Sequence, residues 1–275
     1  MRSACWAMVV VGQMAGLVVG QTMREIEVAR HGEQGLRMDV VLPEGDGPFP
    51  VVVYVHGGGG VSGDRKQDLS ELGPALTRGG LAYVSVSYRF APDHRWPACL
   101  EDVCTAVRYV RDHAAALRVD ANRLAIMGYS AGGQLAFMAA LTGEDLPPIR
   151  AIVGLAPPTD FEQDLAARGG LSRSLQALLD RSVEPDETSI ALLRQIGPVH
   201  HIRADMPAVL IIQGSADQSV PKEQSIAMHK KLREAGVSSE LILLEGAEHR
   251  LRTWKEADAA WPERVVRWIV AAVGD

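Results

Sequence analysis

Apolar positions fall into two kinds of run. Short stretches rich in Val and Ile, or alternating in polarity, predict strands over residues 24–29, 36–42, 51–56, 82–88, 123–128, 151–155, 208–213 and 240–244. Longer stretches rich in helix formers predict helices over 97–116, 131–141, 221–235 and 256–273. The near-continuous apolar runs VVVYVH and AVLIIQ need cover on both faces, which helices flanking a parallel sheet supply. Only a short turn around residues 31–34 separates the first two strands, so these predict an antiparallel edge. The fold class is therefore α/β, with one mostly parallel eight-stranded sheet flanked by helices. About fifty residues between the sixth and seventh strands break the alternation. This interval, 157–206, predicts a small helical insertion with short helices at 172–180 and 188–195.

The start of the chain has a different pattern. Arg2 precedes a stretch over residues 4–19 without a charge, which ends in Val18-Val19-Gly20, and the first acidic residue is Glu25. Residues 1–20 thus read as an export signal, which predicts a secreted or periplasmic protein with one domain over 21–275; the alternative reading is a cytosolic tail on a cytoplasmic protein. The run is short for a membrane span, which needs about 20 mostly apolar residues, so no stable membrane anchor is expected.

Composition narrows the partners. The 275 residues carry 28 Lys+Arg against 34 Asp+Glu, a net charge of -6, with no basic cluster. Nucleic acid binding needs clustered cations to meet the phosphates, so it is not expected. Cys5 falls in the leader. Cys99 and Cys104 fall in a predicted helix, where five residues rise about 7.5 Å, too far for a disulfide, so both read as free, buried thiols. No Cys-x-x-Cys or His-x-x-x-His spacing points to a metal, and no motif calls for a cofactor.

Four motifs carry chemistry. Ser130 sits in Gly128-Tyr129-Ser130-Ala131-Gly132, between the strand RLAIMG and the helix AGGQLAFMAAL. A nucleophile on such a sharp turn needs glycine two residues to either side, and the helix start aims free amides at the reacting centre. His56-Gly57-Gly58-Gly59-Gly60 follows the strand VVVYV, and consecutive glycines expose backbone donors for a developing oxyanion. Asp217 follows the strand AVLIIQ and His249 follows the next strand. Both stand beyond carboxyl ends of strands, where reactive groups gather in an open parallel sheet. A serine needs a base, and the base needs a carboxylate to fix its tautomer, so Ser130, His249 and Asp217 form a candidate set in chain order Ser, Asp, His. His200 and His201 lie before a strand, at the wrong end for chemistry, and His229 falls within a helix.

With these motifs, and with the stretches 87–94 and 96–103, the chain resembles the α/β-hydrolases, specifically the hormone-sensitive-lipase-like esterases and related secreted carbohydrate esterases of acetyl xylan or feruloyl type. The resemblance covers residues from about 35 to 273. It implies a nucleophile at Ser130, a base at His249, an acid partner at Asp217 and oxyanion amides at Gly58, Gly59 and Ala131. It also implies that His56 shapes the glycine loop, with Arg89 and Asp102 holding structure beneath it. Val61 stands where many such relatives carry an aromatic, and the loop around Asp217 resembles the dienelactone-hydrolase type. A long N-terminal cap is not expected, so the insertion 157–206 is the candidate for shaping the pocket. The implied activity is hydrolysis of short-chain acyl esters through an acyl-enzyme, on a small-molecule or polysaccharide-linked ester such as an acetyl or feruloyl ester of plant polysaccharide. Other readings of the same residues are an arylformamidase or peptidase-type amide hydrolase, and a non-catalytic binding protein on this fold.

Overall fold

The computed structural model describes residues 22–274. The predicted leader 1–20, with Cys5, lies outside the described residues. Eight strands run in chain order as β1 (Thr22–His31), β2 (Gln34–Leu42), β3 (Phe49–Val55), β4 (Ala82–Val86), β5 (Val119–Tyr129), β6 (Ile149–Leu155), β7 (Ala208–Gly214) and β8 (Ser239–Leu244). They form one sheet in the order β1-β2-β4-β3-β5-β6-β7-β8. The predicted antiparallel edge is present: β1 pairs antiparallel with β2, and β2 with β4. From β4 to β8 every neighbouring pair is parallel. This is the α/β-hydrolase fold.

Side chains of a strand point alternately to the two faces, so the continuous apolar run of β3 feeds two cores. Val51, Val53 and Val55 enter one and Val52 and Tyr54 the other. The first core packs under the helices α2 (Ala98–Asp112), α4 (Ala131–Thr142) and α8 (Lys222–Glu234). The second packs under α1 (Leu72–Arg78) and α10 (Trp261–Val273). Two four-residue helices, α3 (Ala114–Leu117) and α9 (Trp254–Ala257), lie at the ends of α2 and before α10.

Several predicted boundaries move. The single helix expected over 97–116 is interrupted at His113, which closes α2 and precedes α3. The helix expected over 256–273 is broken between Ala257 and Trp261. Pro262 sits in the first turn of α10, and because proline has no amide hydrogen and clashes with the preceding turn, a helix can begin there but not pass through. β5 begins at Val119, earlier than residue 123, because a shift in register lets Phe49 and Pro50 pair with Val119 and Asp120. α1 holds Gly73 and Pro74, which hide its helical pattern.

The insertion carries three α-helices where two were expected: α5 (Phe161–Arg168), α6 (Arg173–Leu179) and α7 (Glu187–Ile196). Each begins at a side-chain cap, Asp160, Ser172 and Asp186, whose oxygen accepts from a backbone amide in the first turn. Gln224 of α8 fastens the segment before α5, its Oε1 accepting from the amides of Thr159 at 2.9 Å and Asp160 at 3.1 Å.

Trp254 is fully buried, stands edge-on to Trp261 at 5.3 Å between ring centroids, and donates from its indole to the Glu248 carbonyl at 2.8 Å. Trp254→Ala is expected to lower unfolding free energy by about 3–5 kcal/mol. Denaturant titration measures it, and a loss below about 1 kcal/mol would show that this core repacks freely.

Candidate active site

The elbow at Ser130 is built by backbone crowding. Ser130 closes β5 and opens α4 with φ 53° and ψ -124°, a conformation that costs a non-glycine residue about 1–3 kcal/mol. A Cβ on Gly128 would stand 2.0 Å from the Gly132 carbonyl oxygen, and one on Gly132 would stand 2.1 Å from that of Val55 and 2.3 Å from that of His56. Backbone atoms cannot rotate away as a side chain can, which is why only glycine fits either place. The Ser130 amide donates to Leu155 at 2.8 Å, fastening the turn to the end of β6.

From this turn the Ser130 hydroxyl stands 3.0 Å from His249 Nε2, and His249 Nδ1 stands 2.7 Å from Asp217 Oδ2. A carboxylate only accepts, so Nδ1 carries the proton and Nε2 is the acceptor for the serine hydroxyl. Asp217 is sealed from solvent at its side chain, and its Oδ1 accepts from the amides of Ser219 at 2.8 Å and Val220 at 2.9 Å. Gln213 Nε2 gives Oδ2 a second donor at 2.9 Å. Burial pushes the Asp217 carboxyl up, but the hydrogen bonds from His249 and the two amides outweigh it and hold the group below its ordinary value of 3.8.

The loop bearing His249 is held on both sides. Tyr129, the residue before Ser130, donates its hydroxyl to the His249 carbonyl at 2.9 Å, and Trp254 holds the carbonyl of Glu248. On the other flank, Gly58, Gly59 and Gly60 have φ of 122°, 67° and 76°, three successive left-handed residues that side chains rarely tolerate. Among the described residues the amides of Gly58, Gly59 and Ala131 donate to no protein acceptor. Ala131 is the first residue of α4, so its amide has no partner within the helix.

His56 lies beneath the glycine loop, stacked on Tyr88 at 4.4 Å with Phe90 edge-on at 5.9 Å. Burial pushes its imidazole down from the ordinary value, and the neutral ring donates from Nδ1 to the Gly57 carbonyl at 2.7 Å. Arg89 grips the fully buried Asp102 with two side-chain bonds at 2.8 Å, while its own backbone amide donates to the same carboxylate at 2.8 Å. Two residues on, the Ala91 amide donates to the Gly60 carbonyl at 2.9 Å, so this clamp reaches the loop.

A cavity of about 340 Å³ opens over Ser130 and His249. Leu135, Phe161, Leu175, Leu178 and Val220 supply its apolar wall, and Gln134, Ser172, Ser174, Asp164 and Arg168 its polar one. Most of these come from α5 and α6 of the insertion. Arg168 pairs with Asp164 at 2.8 Å and donates to the Ser219 carbonyl at 2.6 Å, joining the insertion to the Asp217 loop. Cys99 lies on the cavity surface, where burial pushes its thiol up to about 12 and keeps it protonated. Cys99 and Cys104 are both free and buried. Among the described residues no group of three or more His, Cys, Asp or Glu could hold a metal ion, and no helix is long and apolar enough to cross a membrane.

Hydrogen bonds join Ser130, His249 and Asp217, and Gly59 and Ala131 line the same cavity as Ser130 and His249, with Gly58 preceding Gly59 on its loop; His200, His201 and His229 lie elsewhere, His200 3.4 Å from Glu162 and His229 facing Ser239 at 2.8 Å. Sequence reasoning passed over Gln213, Tyr129 and Arg168. Gln213 had a signal, since a lone amide closes the apolar run AVLIIQ just before the Asp217 loop.

Because the Asp217 carboxyl is held low in the folded chain, its stabilising contribution is complete above the unfolded value and disappears as pH falls through the folded one. The stability difference between the native chain and Asp217→Asn is therefore expected to be constant above about pH 5 and to shrink below about pH 4. Denaturant unfolding from pH 6 to 3 tests this, and a difference that does not change across that range would refute it.

Comparison with known proteins completes the picture. The BD-FAE family matches residues 38–232, a span that includes Ser130 and Asp217 but stops short of His249. The chain is 32% identical to Esterase LipC of Mycobacterium tuberculosis over 74% of its own length and 53% of the relative's. It is 29% identical to the ethyl acetate hydrolase of Pseudomonas putida, over 72% of this chain and 64% of that one. The chain thus spans about half the length of LipC and less than two thirds of the hydrolase. Among solved structures, a truncated carbohydrate esterase from gut microbiota superposes with a TM-score of 0.77, covering 90% of this chain and 96% of its own, at 22% identity. That likeness is one of fold.

Proposed function

The chain belongs to the BD-FAE family, and from that premise we propose that it is a serine carboxylic-ester hydrolase acting on short acyl esters. The observation that carries this reading is the unbroken relay from Ser130 to His249 to Asp217, at 3.0 and 2.7 Å, beneath an open cavity. His249 Nε2 takes the hydroxyl proton as Ser130 Oγ attacks the ester carbonyl. The amides of Gly58, Gly59 and Ala131 receive the negative charge on the carbonyl oxygen, each such donor being worth about 2.7–4 kcal/mol to the barrier. Collapse of the tetrahedral species passes the proton from His249 to the departing alcohol and leaves the acyl group on Ser130. Water then attacks the acyl-enzyme with the same histidine as base, releasing the acid. Asp217 holds the imidazole in the required tautomer and stabilises the cation formed in each step.

Short acyl groups are favoured by the shape of the site. Ser174 and Leu178 of α6 stand directly against Gly59 and Gly60, which limits the room beside the glycine loop. The name of the Pseudomonas putida relative, an ethyl acetate hydrolase, is in keeping with this. The natural substrate proposed is an acetyl ester of plant polysaccharide, met outside the cytosol if residues 1–20 serve as the export signal they resemble.

Ser130→Ala is expected to fold normally and to lose turnover by a factor on the order of 10⁶, with no labelling by a fluorophosphonate probe that modifies the native protein. A folded variant keeping more than a few per cent of the activity would sink the assignment.

Across nitrophenyl esters, kcat/KM is expected to be highest from acetyl to butyryl and to fall toward dodecanoyl, with acetylated xylan turned over and a feruloyl ester poorly used. Activity climbing steadily to dodecanoyl would overturn the short-acyl reading.

A further inference from the structure

Gln134 stands one helical turn beyond Ser130, its backbone amide closing the first turn of α4 on the Ser130 carbonyl at 3.2 Å. Its side chain lies on the cavity wall, yet the residue is only 4% exposed. A glutamine so deeply buried, among apolar neighbours such as Leu135 and Phe161, must have its polar atoms answered.

Half of the answer is within the protein. The Gln134 Nε2 donates to the carbonyl of Ile196, the last residue of α7, at 2.8 Å. A carbonyl oxygen can only accept, so the amide nitrogen must face Ile196 and the amide cannot be flipped. Oε1 is therefore turned the other way. It accepts no hydrogen bond among the described residues, and it is not among the polar atoms sealed from the solvent probe. Gln134 therefore brings an oriented acceptor to the cavity that Ser130 also lines, four residues further along the chain.

Other polar groups on the wall make weaker demands. Both oxygens of Asp164 are engaged by Arg168 Nε, at 2.8 and 2.9 Å. The Ser174 hydroxyl, beside Gly59, can rotate to serve as donor or acceptor. Gln134 Oε1 differs because it asks for a donor in one direction. An alkyl chain seated against it would strip its water and return nothing, an asymmetry that discriminates by polarity more strongly than by size.

We propose that Gln134 is a specificity-determining residue that selects esters bearing a hydroxyl group on the part of the substrate seated in this cavity. The proposal rests on the hydrolase reading above and deepens it by naming a substrate class. A hydroxyacyl group or a sugar hydroxyl on the alcohol side would supply the same donor, and the two are separable by experiment.

The test uses two matched pairs. One sets 4-nitrophenyl 3-hydroxybutyrate against 4-nitrophenyl butyrate, and the other acetylated xylose against cyclohexyl acetate. The native protein is expected to favour the hydroxylated member of one pair by about tenfold in kcat/KM, and the pair that responds identifies which side of the ester enters the cavity. In Gln134→Met that ratio is expected to fall to within about twofold of unity. Using a ratio within one protein cancels any general loss of stability from uncoupling the Ile196 carbonyl. Gln134→Asn, which withdraws the amide by one methylene, gives the same readout if the methionine variant does not fold. A native protein with no preference in either pair overturns the proposal before any variant is made, as does a preference that survives in the folded variants. Either result leaves the hydrolase reading intact, whereas failure to turn over any of the four esters or to label with a fluorophosphonate would strike at that reading itself.

Discussion

The approach of the Gly132 backbone to the carbonyls of Val55 and His56 is the contact on which the rest of the active face depends. It presses the start of α4 against the end of β3, so the strained serine turn and the glycine loop are set in one fixed relation. The strain at Ser130 is local and modest, of the order of 1–3 kcal/mol. Two cores on either side of the sheet, both fed by the alternate residues of β3 and β5, hold the turn in place. A Cβ at this crossing would have to push the end of β3 and the start of α4 apart, and the serine would move with them.

The second requirement is a charge kept inside the protein. Among the described residues Asp217 has no Arg or Lys partner in contact; its oxygens are met by His249, Gln213 and two backbone amides. In the proposed mechanism neutral dipoles suit a carboxylate that answers a histidine gaining and losing a proton, because a fixed cation beside it would oppose the imidazolium. Gln213 is itself fixed, its Oε1 accepting from Ser225 of α8 at 2.9 Å, so the carboxylate is oriented from the helix behind it. The opposite face of the same loop system is held by Tyr129 and Trp254, which leaves the imidazole little freedom to turn.

The insertion decides the shape of the space above these groups. It is tied to the sheet domain at Gln134, Gln224 and the Ser219 carbonyl, three points reached by α7, by the segment before α5 and by Arg168 of α5. Helix α6 closes directly on the glycine loop, and the Leu178 carbonyl accepts from Trp96 at 3.0 Å to keep it there. The same contacts that hold the wall therefore limit the space above Ser130 and set the polarity of the cavity.

Much of this was legible along the chain, because its signals are local. Strand and helix periods, glycines two residues either side of a serine, and a polar residue following an apolar strand each depend on a few consecutive positions. All eight strands, the antiparallel edge, and Ser130, His249 and Asp217 with the glycine loop and Ala131 could be picked out in this way. The sequence pattern did not show that β3 lies between β4 and β5, that α10 restarts at Trp261, or that a third helix lines the insertion. It also did not single out Gln134 from any other polar residue of a helix, or join Arg168 to the loop of Asp217. Those features arise where segments far apart in sequence meet: the crossing of strands sets the order of the sheet, and a buried amide finds its partner only when α4 and α7 have packed. Local pattern therefore determined which residues could do chemistry, and tertiary packing decided how they are oriented and what the cavity can hold, because orientation is fixed by hydrogen bonds between elements that no single stretch of sequence contains.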